Sequence, residues 1–350
     1  MKELKQTTKI VLAYLERFPE MPNRTLARKI VEELPGVFKS DEHARSTIRI
    51  YKGSNGDKKR KSCTIKKHYA SGRDIINSAP RIPKILLFDI ETSPNVSYNW
   101  GFWKQNIQHQ QIVYPWIIIS WAGKWLYESE CFGDVLTVKE AKGHSDERIC
   151  KSLLKAFNDA DIIIAHNGKK FDDKRSKTRF FINKLDPPSS YQMIDTLEQY
   201  RKEFVMPSNR LDYLMGLLYD DSKLSTEFAL WPKCLNWFGK ETKESQQEAL
   251  DYMFKYNKKD VYGLEDIYLE VRPWIKNHPN LGLYMDTKER VCCNCGSADI
   301  YEDPNSLYTT GVNQFVTMRC NNCGAVAGRD RQTLVKREKG EVKPLHPVAR

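Results

Sequence analysis

The chain has 350 residues, of which 40% are hydrophobic and 29% charged, and its formal net charge is +11. This composition provides enough apolar side chains for about two folded domains and excludes a chain that is disordered throughout. No apolar run approaches the roughly 18 residues of a membrane span, and the N-terminal residues lack the apolar stretch of a secretory signal. We therefore expect a cytoplasmic protein that does not enter a membrane.

Positive charge is concentrated near the N-terminus. Residues 1–80 hold 18 Lys and Arg against 9 Asp and Glu, whereas residues 81–280 hold 28 of each kind. A basic segment joined to a neutral core favours a polyanionic partner such as nucleic acid. The alternative is an ordinary solvated surface that binds nothing.

The first predicted segment, residues 1–52, is a helical module. Apolar residues recur at helical spacing from Ile10 onward, and Ser40 is a suitable N-cap for a third helix. Three short helices are typical of a helix-turn-helix module, whose last helix would present Arg45 and Arg49 to nucleic acid. The alternative is a module that docks a protein.

A basic linker is predicted at residues 53–83, which contain few apolar side chains. Its charge is densest in one run of four cations, Lys58, Lys59, Arg60 and Lys61. Such a run can follow a phosphate backbone. A run that serves only solubility is the alternative.

Regular structure is expected again in residues 84–280. The run from Lys84 to Glu91 is apolar and ends in two acids, as in a buried central strand. Further strands are predicted at 116–125, 128–133 and 161–167, and helices at 146–158, 173–185, 209–218 and 244–274. Three neighbouring strands followed by a helix and another strand predict an α/β fold, with a mixed sheet and flanking helices.

Three short motifs in this region contain acids that could act together. Asp89 and Glu91 are two apart on a strand, so they share a face, where a divalent cation would offset their repulsion. Asp172 follows the fourth predicted strand, and Tyr256 and Asp260 share a helix face at i and i+4. Each motif alone has a structural alternative, namely a surface acid pair, a helix N-cap and a core tyrosine beside an exposed acid.

Taken in order, the motifs Asp-x-Glu, His-Asn-Gly-x-x-Phe-Asp and Tyr-x-x-x-Asp resemble those of the DnaQ-like 3′→5′ exonucleases, in the DEDDy subgroup of the ribonuclease H-like superfamily. The resemblance covers residues 84–275. It implies a catalytic set made of Asp89, Glu91, Asp172, Tyr256 and Asp260. It also implies that the four acids hold two Mg²⁺ or Mn²⁺ ions, while the tyrosine orients the attacking water.

The same resemblance implies that a frayed 3′ end is bound by base stacking and backbone contacts. Trp103, next to Trp100 and Phe102, is a candidate stacking residue, and Asn167 and Asn209 are candidate nucleic-acid contacts. The alternatives are core packing for the aromatic residues and helix capping for Asn209.

Five of the nine cysteines lie near the C-terminus, in a pattern that predicts a zinc ribbon at residues 288–335. Two Cys-x-x-Cys pairs, each followed by glycine, have the spacing of a structural Zn²⁺ site. The expected ligands are Cys292, Cys295, Cys320 and Cys323, with Cys293 as an extra thiol and residues 336–350 as a tail. Nucleic-acid binding and a purely structural cap are both open for this ribbon.

Together these features predict a metal-dependent 3′→5′ exonuclease that hydrolyses phosphodiester bonds from the 3′ end of single-stranded DNA, with replication or repair proteins as further partners. The alternatives are an exoribonuclease or structure-specific endonuclease of the same fold, and a nucleic-acid-binding protein whose nuclease core is idle. The layout resembles bacteriophage exonucleases, which would place the protein in a host cytoplasm.

Overall fold

The structure is a computed structural model that describes residues 6–18, 21, 23–52, 83–220, 226–311, 313–328 and 334–335. Within these residues, 6–52 and 84–269 form one compact unit, and those from 270 onward form a second. Most of the predicted linker, with Lys58, Lys59, Arg60 and Lys61, lies outside the described residues, as does the tail. No helix in the described part of the chain is long and apolar enough to cross a membrane.

Three helices form the N-terminal part of the first unit, as the sequence predicts. They are α1 (Gln6–Arg17), α2 (Asn23–Glu33) and α3 (Asp41–Lys52). Their apolar faces bury a small core that includes Val11, Leu26 and Ile48. The Ser40 hydroxyl accepts the backbone N–H of His43 at 3.2 Å, which is the capping contact expected at the start of α3.

A five-stranded mixed sheet, in the order β5-β4-β1-β6-β7, forms the centre of the first unit and confirms the predicted fold class. The strands are β1 (Ile85–Thr92), β4 (Ile118–Trp125), β5 (Phe132–Val135), β6 (Ile162–Ala165) and β7 (Gln192–Asp195). Strand β1 lies in the middle because it pairs antiparallel with β4 and parallel with β6. A separate two-stranded hairpin joins β2 (Val96–Ser97) to β3 (Ile112–Tyr114).

Seven helices of the described chain follow the strands of this region. They are α4 (Val138–Lys142), α5 (Glu147–Asp159), α6 (Asp172–Ile182), α7 (Thr196–Glu203), α8 (Leu211–Tyr219), α9 (Leu230–Leu235) and α10 (Lys243–Val271). Aromatic side chains join helices to the sheet, with the Phe88 and Phe157 rings 4.9 Å apart and edge-on. The core therefore lies between β1 and helices such as α5.

Two details of the sheet differ from the sequence prediction. The strand predicted at 128–133 begins only at Phe132, because the chain turns after β4 with Tyr127 at a positive φ of 69°. Strand β7 is not among the predicted strands. Outside the five-stranded sheet, helices α4, α7 and α9 and the hairpin of β2 and β3 are not predicted either. Strand β7 pairs with β6 at the edge of the sheet and is four residues long, so its sequence carries little periodicity.

The second unit contains a three-stranded sheet in the order β10-β9-β8. Its strands are β8 (Ile300–Thr309), β9 (Gln314–Cys320) and β10 (Val326–Gly328). Four buried cysteines, together with Ala325, form the centre of this unit.

Candidate active site

Two carboxylates lie near the end of the central strand. In β1, Asp89 and Glu91 are half-buried, while Ile90 between them is buried. Because alternate side chains of a strand point to opposite faces, the two acids share one face of the sheet. This is the arrangement that the Asp-x-Glu motif predicts.

Helix α10 brings a third carboxylate to this pair. Asp260 is buried, and one carboxylate oxygen of Asp89, of Glu91 and of Asp260 lies within 4.8 Å of the other two. Three carboxylates this close repel one another when ionised. A donor set made only of carboxylate oxygens is the kind that Mg²⁺ and Mn²⁺ prefer, so these three residues fit a divalent metal ion.

A buried amide holds one member of this cluster and was missed in the sequence. The Asn257 side-chain nitrogen donates to Oδ2 of Asp89 at 2.5 Å, and its oxygen accepts from the Ser120 hydroxyl at 3.3 Å. Asn257 is three residues before Asp260, and positions i and i+3 share a helix face. The spacing of three residues from Asp260 is the sequence signal that could have identified Asn257. The hydrogen bond from Asn257 fixes the orientation of the Asp89 carboxylate.

The fourth predicted acid, Asp172, is not one of the three clustered carboxylates. It is buried at the first residue of α6, and its Oδ1 accepts the backbone N–H of Ile90, the residue between Asp89 and Glu91, at 3.2 Å. Burial raises the pKa of Asp172 to about 7, and the backbone hydrogen bond from Ile90 partly opposes this shift. Asp172 therefore contacts the backbone between the two acids and lies outside the cluster of three carboxylates.

The loop that leads to Asp172 is fixed by the buried carboxylate of Asp195. Asp195 accepts the backbone N–H of Asn167 at 2.9 Å and that of Lys169 at 3.1 Å, and it also caps helix α7. Asn167 has a positive φ of 68°, which a backbone tie of this kind stabilises. Asp195 therefore positions the loop that leads to Asp172.

His166 joins the same loop to two neighbouring segments. Its Nδ1 lies 2.9 Å from the Thr196 hydroxyl and its Nε2 lies 2.8 Å from the Asn209 carbonyl oxygen. Both ring nitrogens are thereby used, which leaves His166 no free position for a metal ion.

Tyr256 lies on α10, one residue before Asn257. Its side chain is only 8% exposed and belongs to the core cluster under the sheet. The ring therefore packs as a core aromatic one helical turn before Asp260, and its assignment to catalysis remains a prediction.

The predicted nucleic-acid contacts have different surroundings. Trp103 is highly exposed, together with Trp100 and Phe102. Arg45 is not: its side chain is 11% exposed, and its guanidinium lies 5.5 Å from the centre of the Tyr219 ring on α8. This placement disfavours Arg45 as a nucleic-acid contact, because a helix of the same unit already covers it. The side chain of Arg49 lies outside the described residues.

The four predicted zinc ligands meet in the second unit. The sulfurs of Cys292 and Cys323 are 3.7 Å apart and those of Cys295 and Cys320 are 3.6 Å apart, and all four lie within 4.8 Å of one another. Four sulfurs about 2.3 Å from a tetrahedral Zn²⁺ would be separated by about 3.8 Å, so the cluster fits this ion. Cys293 is not part of it, and its sulfur instead donates to the Asn294 side chain.

The glycine that follows each cysteine pair has the expected backbone conformation. Gly296 and Gly324 have φ values of 76° and 78°, in the region that favours glycine. Their N–H groups donate to the carbonyls of Cys292 and Cys320 at 2.8 and 2.9 Å, which closes each cysteine turn.

A comparison with protein families agrees with this fold. A family model described as RNase_H superfamily matches residues 123–271. The match includes Asp172 and Asp260 but begins after Asp89 and Glu91, which β1 contributes to the same sheet. A comparison with curated proteins gives no match. The match indicates a ribonuclease H superfamily domain at residues 123–271, in agreement with the mixed sheet, and such a domain suggests nuclease activity in general.

Proposed function

We propose that this protein is a divalent-metal-dependent 3′→5′ exonuclease that acts on single-stranded DNA. The observation that supports the proposal most is the convergence of Asp89, Glu91 and Asp260 at the end of the central strand. The match to the ribonuclease H superfamily supports hydrolysis of nucleic acid. The order of the sequence motifs supports the exonuclease subgroup and its polarity.

In this proposal Asp89, Glu91 and Asp260 hold one Mg²⁺ or Mn²⁺ ion, and Asp89 and Asp172 hold a second. When bound, such ions lower the pKa of water and neutralise charge on the attacking and leaving oxygens of a phosphodiester. Asn257 keeps the Asp89 carboxylate in one orientation through its 2.5 Å hydrogen bond. Tyr256 would orient the attacking water by a hydrogen bond.

Zn²⁺ has a separate, structural place in the proposal. The cysteine cluster leaves no open coordination position when all four sulfurs bind, which is typical of structural rather than catalytic zinc. The second unit would then fold around this ion as a zinc ribbon.

Digestion of matched single-stranded DNA and RNA, both labelled at the 5′ end, tests the proposal in the presence of Mg²⁺. The wild type should give a ladder of products shortened from the 3′ end of DNA, and Asp260→Asn should give none. Asp251→Asn is the matched control, because Asp251 is an exposed acid on the same helix; it should cleave like the wild type.

Each other outcome corrects a different part of the proposal. A ladder only on RNA would mean that the substrate is RNA rather than DNA. Internal fragments without a ladder would indicate an endonuclease. No cleavage of either polymer by protein loaded with Mg²⁺ would overturn nuclease activity and favour a binding protein.

A further inference from the structure

The segment between β1 and β4 presents an unusual group of exposed aromatic side chains. Within residues 96–114, which we call the aromatic arm, Tyr98 is 77%, Trp100 99%, Phe102 99% and Trp103 86% exposed. Single exposed apolar residues are common on proteins, but four highly exposed aromatic residues within residues 98–103 are typical of an interaction site.

The arm is a folded projection with a fixed base. Strands β2 and β3 pair with each other, the Tyr98 N–H donates to the Gln111 carbonyl at 2.9 Å, and the Gln111 side chain donates back to the Tyr98 carbonyl at 2.9 Å. Near the tip, the Gln105 side chain donates to the Trp103 carbonyl at 2.8 Å. These contacts hold the backbone beneath the aromatic group in one conformation, which reduces the entropic cost of binding.

The base of the arm is tied to the strand that carries the acids. The Ser93 N–H, two residues after Glu91, donates to the Ile117 carbonyl at 2.9 Å. The Arg175 guanidinium donates to the Thr92 hydroxyl at 2.7 Å and lies 4.7 Å from the centre of the Trp116 ring. Arg175 is on α6, three residues after Asp172. The chain on both sides of the arm is thus anchored to β1, which carries Asp89 and Glu91, and to α6, which carries Asp172.

The composition of the arm suits a nucleic acid. Residues 92–127 contain no Asp or Glu, so no carboxylate of this segment repels a phosphate. The aromatic residues alternate with side-chain amides at Asn99, Gln105 and Asn106, which can donate to and accept from base edges and phosphates. Every nucleobase has a flat face that stacks on such rings once it is unpaired.

We propose that the aromatic arm binds the unpaired bases of a single-stranded nucleic acid, with Trp100, Phe102 and Trp103 as the stacking surfaces. This inference rests on the proposed nuclease function, because the arm would hold the strand whose end reaches Asp89 and Glu91. A duplex keeps its bases stacked on one another and offers only its ends to the arm. The arm therefore selects single strands.

Binding of a 5′-labelled 20-nucleotide single strand, measured by fluorescence anisotropy, tests the role of the arm. Ca²⁺ replaces Mg²⁺ in this assay, so that binding is measured without requiring cleavage. The double variant Trp100→Ala/Trp103→Ala should bind roughly 10-fold or more weakly, as expected for the loss of two stacking partners. The matched control is Phe181→Ala/Phe228→Ala, which removes two rings that are 83% and 72% exposed on other elements of the same unit. It should bind like the wild type.

An oligonucleotide of the same length with abasic sites identifies the contacted group. If the arm stacks on bases, the wild type should bind this probe as weakly as the arm variant binds the intact strand, and the variant should lose little more. Equal affinity of the arm variant and the wild type for the intact strand would overturn the proposal and leave the rings to a protein partner. If the arm variant lost as much affinity for a blunt duplex as for the single strand, the proposal that the arm selects single strands would also be overturned.

These results separate the arm from the proposed reaction. Weak binding by the arm variant together with no cleavage by the wild type in Mg²⁺ would support the arm and refute the nuclease. Full binding by the arm variant together with a normal cleavage ladder of the wild type would refute the role of the arm and support the nuclease.

Discussion

A buried ion pair joins helix α2 to helix α10 within the first unit, and its removal should destabilise that unit strongly. Arg28 on α2 lies 3.3 Å from Oδ1 of Asp266 on α10, with side chains that are 9% and 1% exposed. Thr25 also donates to the same oxygen, at 3.4 Å. We consider the substitution Arg28→Met, which keeps the aliphatic length and removes the charge.

The size and the pH dependence of the effect follow from Asp266. Burial raises the pKa of Asp266 from 3.8 to about 6, although Arg28 and Arg24 oppose the rise. A group whose pKa is higher in the folded state reduces stability as the pH increases through its two pKa values, here from about 4 to about 6. Without Arg28 the pKa of Asp266 in the folded state rises further. The loss in the free energy of unfolding should therefore be largest at pH 8, where the Asp266 carboxylate would be buried and ionised. We expect a loss of about 3–5 kcal/mol at pH 8.

At pH 5 the variant can protonate Asp266 and avoid the unpaired charge. The loss there should be only about 1–2 kcal/mol, for a missing hydrogen bond. Thermal unfolding followed by circular dichroism at pH 5 and pH 8 measures both values. Arg210→Met is the control, because Arg210 is 80% exposed in its pair with Asp212 and should change stability by less than about 1 kcal/mol at either pH. An equal loss for Arg28→Met at both pH values would refute the reasoning.

Three further predictions concern single sites. Asn257→Leu leaves the Asp89 carboxylate without its 2.5 Å hydrogen bond, so the Mg²⁺ concentration needed for half-maximal cleavage should rise roughly 10- to 100-fold; an unchanged Mg²⁺ dependence would contradict this role. Gly168→Ala would place a Cβ 2.4 Å from the Cβ of Ala165 and should lower the free energy of unfolding by about 1–3 kcal/mol, measured by thermal unfolding. The control Gly311→Ala, whose added Cβ would have nothing within 4 Å, should leave stability unchanged. Equal unfolding midpoints of the two variants would show that the loop around Gly168 adapts. Cys320→Ser should abolish bound zinc by atomic absorption, while Cys293→Ser, outside the cluster, should retain it; zinc loss in both would mean that the ligand set is wrong.

The parts of the fold that the sequence predicts best are those with a strong periodic pattern. Strand β1 is predicted because its apolar run stops abruptly at two acids, and the pleat then requires Asp89 and Glu91 to share a face. The long helix α10 is predicted for a similar reason, from the helical pattern of residues 244–274, and the i and i+4 spacing then puts Tyr256 and Asp260 on one helix face. The convergence of Asp260 with the β1 pair depended on the resemblance of the motifs, not on any local pattern.

Contacts between distant elements could not be predicted in this way. A short amphipathic helix such as α3 has two faces that bear charge, and its sequence does not show which face another element covers. The sequence therefore predicts a nucleic-acid contact at Arg45, whereas in the structure its guanidinium lies over the ring of Tyr219, 174 positions later in the chain. The sequence does not predict the role of Asn257, because its hydrogen bond to Asp89 spans 168 positions. In both cases the partner is determined by tertiary packing.

The most direct test of the central claim is a Mn²⁺ titration of the wild type and of Asp260→Asn, with bound ion measured by electron paramagnetic resonance and with equal zinc content in both samples. If Asp89, Glu91 and Asp260 form one metal site, the wild type should bind Mn²⁺ over the concentration range in which it cleaves single-stranded DNA, and the variant should bind roughly 10-fold or more weakly. Equal Mn²⁺ binding by the two proteins would contradict the claim that these carboxylates form the catalytic metal site.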